Sequence, residues 1–94
     1  MEDKLTIRVK NLPNDIDEED LRNVLARFGY ITRIRIMYEE LRNNRRRCKG
    51  FGYVSFQYED SVKRALEEGE VSVGMAIIEI EKAMQRVMAP RESF

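Results

Sequence analysis

The sequence contains no histidine, and Cys48 is its single cysteine. Without histidine, neither a His-dependent general base nor a nucleophile triad can be built from these residues. A lone cysteine forms no internal disulfide, and no Cys/His cluster with zinc-ligand spacing is present. We therefore expect no enzymatic activity, no bound metal and no cofactor, and we expect a reducing compartment.

Long apolar runs and Pro/Gly/Ser-rich linkers are also lacking. No stretch approaches the roughly 20 apolar residues that a membrane-spanning helix needs, so we expect no membrane association. The chain has 94 residues, of which 43% are apolar and 36% are charged, which suits one compact domain with a solubilising surface. We expect that domain to cover residues 4–83, followed by a tail at 84–94 that is a short helix or disordered.

The formal net charge is zero, but the charges are segregated along the chain. An acidic block occupies residues 15–20, and a basic block occupies residues 42–49. This distribution predicts a dipolar protein with one face suited to phosphate. The run Arg45-Arg46-Arg47 fits a phosphate contact, a solvated loop or a nuclear-localisation patch equally well.

Hydrophobic periodicity predicts four strands, at residues 5–10, 31–38, 49–57 and 75–81. Two amphipathic helices are predicted between them, one from the N-cap Asp17 to Gly29 and one over residues 59–68. Residues 39–48 are expected to form a flexible loop. The order β-α-β-β-α-β predicts an α+β, ferredoxin-like sandwich, in which two helices cover one face of a four-stranded antiparallel sheet.

Strand parity predicts which side chains lie on the open face of that sheet. Phe51 and Tyr53 fall on this face, where their rings do not pack in the core. Exposed rings of this kind can stack on bases, and the cations around them can pair with phosphates. The alternative is an aromatic cluster that only stiffens the sheet. Gly50 and Gly52 are expected to leave room for the helices beneath. The predicted open face carries Thr6, Arg8, Lys10, Arg33, Arg35, Met37, Lys49, Phe51, Tyr53, Ser55, Glu79 and Glu81.

The octamer KGFGYVSF, Lys49–Phe56, resembles the RNP1 element of the RNA-recognition motif, and residues 7–12 resemble its RNP2 hexamer. The resemblance implies single-stranded RNA as the ligand of the open sheet face. By this resemblance Tyr53 would stack one base, Phe51 would lie against riboses, and Lys49 would pair with a phosphate. Lys82 and Ala83, just past the fourth strand, would offer main-chain groups to bases, and the 40–48 loop would close over one side.

One position departs from the family pattern, because Arg8 stands where RNP2 usually has an aromatic residue. A guanidinium is a poorer stacking platform than a ring, so we expect weak, salt-sensitive RNA binding by the isolated domain. Glu79 and Glu81 can accept hydrogen bonds from base amino groups such as cytosine N4, or they can pair with Lys10 or Arg8. The residues expected to contact RNA are Arg8, Lys10, Arg33, Arg35, Arg45, Arg46, Arg47, Lys49, Phe51, Tyr53, Glu79, Glu81 and Lys82.

Residues 6–12, the acidic first helix and residues 28–34 resemble the RNA-recognition motif of the g subunit of eukaryotic translation initiation factor three. This resemblance implies a cytoplasmic ribonucleoprotein or initiation complex with other protein subunits, although a nuclear location also fits. As an isolated domain the chain is expected to be monomeric.

Two alternatives remain open from the sequence. The helical face can instead bind a peptide or a partner protein, although residues 69–74 lack the Arg-x-Phe element found in such domains. In the tail, Met84, Val87 and Met88 either fold back over Phe51 and Tyr53 or fray.

Overall fold

The computed structural model describes residues 2–84, with side chains described at all of these positions except 2, 3, 44, 46 and 84. The chain forms five strands and two α-helices in this range, and short 3-10 turns follow α1 and β2 at Ala26–Phe28 and Arg42–Asn44. The elements are β1 (Glu2–Lys10), α1 (Glu18–Leu25), β2 (Ile31–Glu40), β3 (Arg46–Phe56), α2 (Glu59–Glu68), β4 (Glu70–Val73) and β5 (Ala76–Met84).

The strands form one antiparallel sheet in the order β2-β3-β1-β5-β4, with both α-helices packed on the same face. This arrangement confirms the α+β, ferredoxin-like fold. The expected number of four strands was wrong, because residues 70–73 form the additional edge strand β4 as a hairpin with β5. Neither α-helix of residues 2–84 is long and apolar enough to cross a membrane.

The core lies between the helices and the inward side of the sheet. Its largest fully buried side chains come from both layers, and each contributes about 1.5–3 kcal/mol through burial of its apolar surface. The strand residues among them all stand at positions that alternate with the predicted open-face residues, as strand parity requires. These side chains are Ile7, Val9, Leu21, Leu25, Val54, Phe56 and Ile78.

Helix α1 begins at a capping box that joins Asp17, the predicted N-cap, to Asp20. The backbone N–H of Asp20 donates to Asp17 Oδ1 at 2.9 Å, and the backbone N–H of Asp17 donates to Asp20 Oδ2 at 3.4 Å. These bonds satisfy donors that a helix start leaves without intrahelical partners. Helix α2 has Tyr58 at its N-cap with no side-chain capping bond, and it ends at Gly69 in the left-handed conformation.

Strands β1, β2, β3 and β5 are all longer than the sequence predicted. The expected loop at 39–48 was wrong, because Tyr38 pairs with Cys48 and Glu39 pairs with Arg47 in a hairpin that extends β2 and β3 beyond a register shift. Opposite charges favour this pairing, since Arg47 Nη2 lies 3.5 Å from Glu39 Oε2. Strand β5 also continues through residues 82–84, so the tail expected at 84–94 lies, apart from the backbone of residue 84, outside the described residues.

Candidate nucleic-acid interface

Antiparallel pairing aligns the open-face residues in rows that cross the sheet. In one row, Tyr53 of β3 lies between Arg35 of β2 and Arg8 of β1, and Arg8 is followed by Glu81 of β5. In the next row, Phe51 pairs with Lys10, Lys10 with Glu79, and Glu79 with Glu70. The register therefore brings the two predicted rings and most of the predicted open-face charges onto one surface, as parity indicated.

Phe51 and Tyr53 form an edge-to-face pair at the centre of this surface. Their ring centroids are 6.1 Å apart with an interplanar angle of 89°, and both side chains are half-buried. Rings in this geometry attract each other by about 0.5–1.5 kcal/mol beyond their burial, so each holds the other in place. The pair presents apolar surface to solvent on a central strand, where a flat base can stack on it.

The guanidinium group of Arg8 lies over the ring of Phe51. Its guanidinium carbon is 4.9 Å from the Phe51 ring centroid, and its Nη1 donates to Glu81 Oε2 at 2.9 Å. The Arg8 Nε is buried with no hydrogen-bond partner among the described residues. The Arg8 side chain is thus held by a cation–π contact and an ion pair, which fix it as part of the surface.

Both carboxylates of β5 form ion pairs with β1, one of the two alternatives that the sequence left open. Lys10 Nζ lies 3.3 Å from Glu81 Oε1 and 3.9 Å from Glu79 Oε1. These side chains are between 36% and 59% exposed, so each pair contributes little to stability. The two carboxylates have a larger effect on the charge of the open face, because they neutralise Arg8 and Lys10 of β1.

The open face is consequently polarised across its strands. Arg33 and Arg35 of β2 and Lys49 of β3 are exposed and form no ion pair within the described part of the chain. Glu79 and Glu81, with Glu70 beside them on β4, carry the opposite charge at the other side. Phosphate is therefore favoured over β2 and β3, whereas β5 and β4 offer acceptors.

Two glycines shape strand β3 next to the rings, but not by making room for the helices as expected. Gly50 has a φ of +95° at an irregularity of the β2–β3 register, a conformation that side chains disfavour. At Gly52, a Cβ atom would lie only 2.6 Å from the backbone oxygen of Arg35 in β2. Both glycines thus serve strand geometry and the close approach of β2.

Several predicted site residues lie away from the rings. Arg45 and Arg47 are exposed at the end of the β2–β3 hairpin, and the Arg46 side chain lies outside the described residues. Lys82 lies inside β5, not past it, and its side chain lines a surface pocket with Lys4, Lys63 and Leu66 on the helical side. The prediction that Lys82 lies just past this strand was therefore wrong, whereas its main-chain contact with a base stays a prediction.

The structure adds two features to this surface that the sequence interpretation missed. The hydroxyl oxygens of Thr6 and Ser55 are 2.8 Å apart, so these two open-face residues bond to each other. Glu70 joins the acidic side because β4 exists. The alternation of Val71 and Val73 with polar neighbours was the available signal, although four residues is short for a strand assignment.

A family model described as "RNA recognition motif" matches residues 7–77 of this chain. The chain belongs to the RNA recognition motif family. Such a domain binds nucleic acid and is not a catalytic one.

Two curated relatives match this chain over a part of their own longer sequences. Over 75 residues, this domain is 35% identical to heterogeneous nuclear ribonucleoprotein 27C of Drosophila melanogaster, covering 80% of this chain and 17% of that protein. Over 66 residues, it is 38% identical to the g subunit of eukaryotic translation initiation factor 3 of Caenorhabditis briggsae, covering 70% of this chain and 24% of that protein. The domain therefore spans about a fifth of these relatives' length.

Among solved structures, the RNA recognition motif resembles the RNA-binding domain of Hrp1 in complex with RNA. The TM-score is 0.74 at 24% identity, and the match covers 88% of this chain and 47% of the other. This likeness supports the fold. The similarity to the g subunit of initiation factor 3 agrees with the resemblance seen in the sequence.

Proposed function

We propose that the open sheet face binds single-stranded RNA, with Phe51 and Tyr53 as the stacking platform. The observation that carries this proposal is the edge-to-face ring pair, with centroids 6.1 Å apart and both rings half-buried on a central strand. Stacking on such rings contributes about 1–3 kcal/mol per base. Family membership and the similarity to an RNA-bound domain support the same ligand.

Phosphate contacts come from the basic side of the face in this proposal. Arg33, Arg35 and Lys49 are exposed cations close to the rings, whereas Arg8 and Lys10 are already paired with carboxylates. Three phosphate contacts on a single strand give a log–log salt dependence with a slope of about −2. Binding is thus weak and sensitive to salt.

We further propose that the domain acts within a translation initiation complex, alongside other protein subunits and in the cytoplasm. The support is the 35–38% identity to the g subunit of initiation factor 3 in three organisms. A nuclear location has support of the same kind from the ribonucleoprotein relative. No observation on the described residues favours a peptide on the helical face.

The test compares Phe51→Ala and Tyr53→Ala with wild type in fluorescence anisotropy, using a labelled all-uridine octamer. Each substitution is expected to weaken binding by roughly 5- to 150-fold, the equivalent of about 1–3 kcal/mol. Tyr58→Ala is the matched control, because Tyr58 is 62% exposed but lies beyond the end of β3. It should bind as wild type does.

An NMR titration with the same octamer gives an independent readout of the surface. Shifts are expected at residues 8, 33, 35, 51 and 53. Undiminished binding by the ring variants, or shifts confined to the helices, would refute the sheet site. Submicromolar affinity that hardly changes between low and moderate salt would contradict the phosphate contacts.

A further inference from the structure

Glu81 is held in a fixed position at the edge of the ring surface. Its Oε2 accepts from Arg8 Nη1 at 2.9 Å, and its Oε1 lies 3.3 Å from Lys10 Nζ. Arg8 is itself held over Phe51, so the carboxylate is fixed relative to the rings. A carboxylate has about four lone-pair positions, and these two contacts leave acceptor capacity on a side chain that is 36% exposed.

A carboxylate in this place is unfavourable for phosphate and favourable for base N–H groups. Glu81 lies in one cross-strand row with Arg8 and Tyr53. Neighbouring strands are about 4.8 Å apart, so Tyr53 and Glu81 are separated by about 10 Å across the row. A purine stacked on the rings and an extended glutamate side chain are together long enough to bridge this separation.

The donor and acceptor pattern of this row matches one base better than the others. Guanine alone has two N–H groups side by side on its Watson–Crick edge, at N1 and N2, with the O6 acceptor next to them. The two oxygens of Glu81 suit the N–H pair, and the flanking cations of Arg8 and Lys10 suit O6. Cytosine and adenine offer one amino group there, and uracil offers one N–H between two acceptors.

We propose that Glu81 is a specificity-determining residue that accepts hydrogen bonds from the N1–H and N2–H groups of a guanine at the ring surface. This inference rests on the proposed binding of single-stranded RNA to the same face. Arg8 and Lys10 position the carboxylate and donate to O6. The acidic side of the face thereby lowers affinity for the phosphate backbone and selects a base.

The test uses labelled octamers of uridine that carry one central guanosine, inosine, cytidine or adenosine, and the all-uridine octamer as reference. Inosine keeps O6 and N1–H but lacks the amino group at N2, so it removes one bond to Glu81. Wild type is expected to bind the guanosine octamer about five- to tenfold more tightly than the inosine octamer, as expected for one partly exposed bond to a charged acceptor.

Glu81→Gln is expected to reduce this ratio to about twofold or less, because the amide keeps one acceptor and presents a donor in place of the other. Its affinity for the all-uridine octamer should be equal to or higher than that of wild type, since one negative charge is lost. Glu67→Gln makes the same charge change on the exposed side of α2, across the sheet from the rings, and should keep the guanosine preference.

Equal affinity of wild type for the guanosine and inosine octamers, or an unchanged ratio in Glu81→Gln, would overturn the proposal. Tightest binding of the cytidine octamer, lost in Glu81→Gln, would overturn guanine and assign Glu81 to the cytosine amino group. The ring variants separate this failure from that of the proposed function. If binding of the all-uridine octamer depends on Phe51 and Tyr53, only the proposed role of Glu81 is overturned. Binding that does not depend on the rings, or no binding, overturns both the RNA-binding proposal and the role of Glu81.

Discussion

Replacing Gly52 with alanine tests whether the approach of β2 to β3 is as close as the structure indicates. The added Cβ would lie 2.6 Å from the Arg35 backbone oxygen and 3.2 Å from the Ile36 Cα. Both atoms belong to β2, which pairs with β3 at these positions, so no side-chain rotation relieves the overlap. Overpacking costs about 1–3 kcal/mol, and contact with backbone favours the upper half of that range.

For Gly52→Ala, strand propensity and steric overlap predict changes of opposite sign in the free energy of unfolding. In a strand, alanine is favoured over glycine by about 0.5–1 kcal/mol, so propensity alone predicts that Gly52→Ala stabilises the domain. Steric overlap predicts a loss of about 2 kcal/mol instead, a substantial part of the roughly 5–15 kcal/mol typical of a native domain. Urea denaturation followed by circular dichroism measures the free energy of unfolding. A midpoint at or above that of wild type would refute the close approach.

Three further substitutions test the cap, a partly buried hydroxyl and a surface ion pair by the same unfolding measurement. Asp17→Ala removes the side chain that caps α1 and should cost about 1 kcal/mol; no loss would mean that the capping box is not formed. Tyr38→Phe removes the hydroxyl that donates to the Ile16 carbonyl at 3.2 Å and should cost about 1 kcal/mol, with a neutral result counting against that bond. Glu39→Gln should change stability by less than about 0.5 kcal/mol, because its partner Arg47 is exposed, and a larger loss would show a stronger hairpin pair.

Much of the fold follows from periodicity and capping alone. The alternation through Ile7 and Val9 assigned the correct side of the sheet, and Asp17 marked the start of α1. Predictions failed where stability comes from pairing between distant residues. The hairpin beyond Tyr38 and the short strand at 70–73 depend on partner strands, and their local sequence is too polar or too short to show them.

The candidate site was predictable in its membership but not in its internal contacts. Parity placed Phe51, Tyr53 and Arg8 on one face, because side chains alternate strictly along a regular strand. Whether Glu81 would pair with Arg8 depended on cross-strand register, which the sequence alone leaves open. The position of Lys82 was missed for a related reason, since β5 continues past residue 81 and turns this side chain to the helical side.

The buried Cys48 in the β2–β3 hairpin gives the domain a built-in chemical reporter. Its side chain is 3% exposed, and its sulfur accepts a hydrogen bond from the backbone N–H of Gly50 at 3.2 Å. An alkylating reagent can reach the thiolate only when this part of the hairpin opens. Because the chain has no other cysteine, the rate of labelling measures the opening of strand β3 next to the ring pair, with and without RNA.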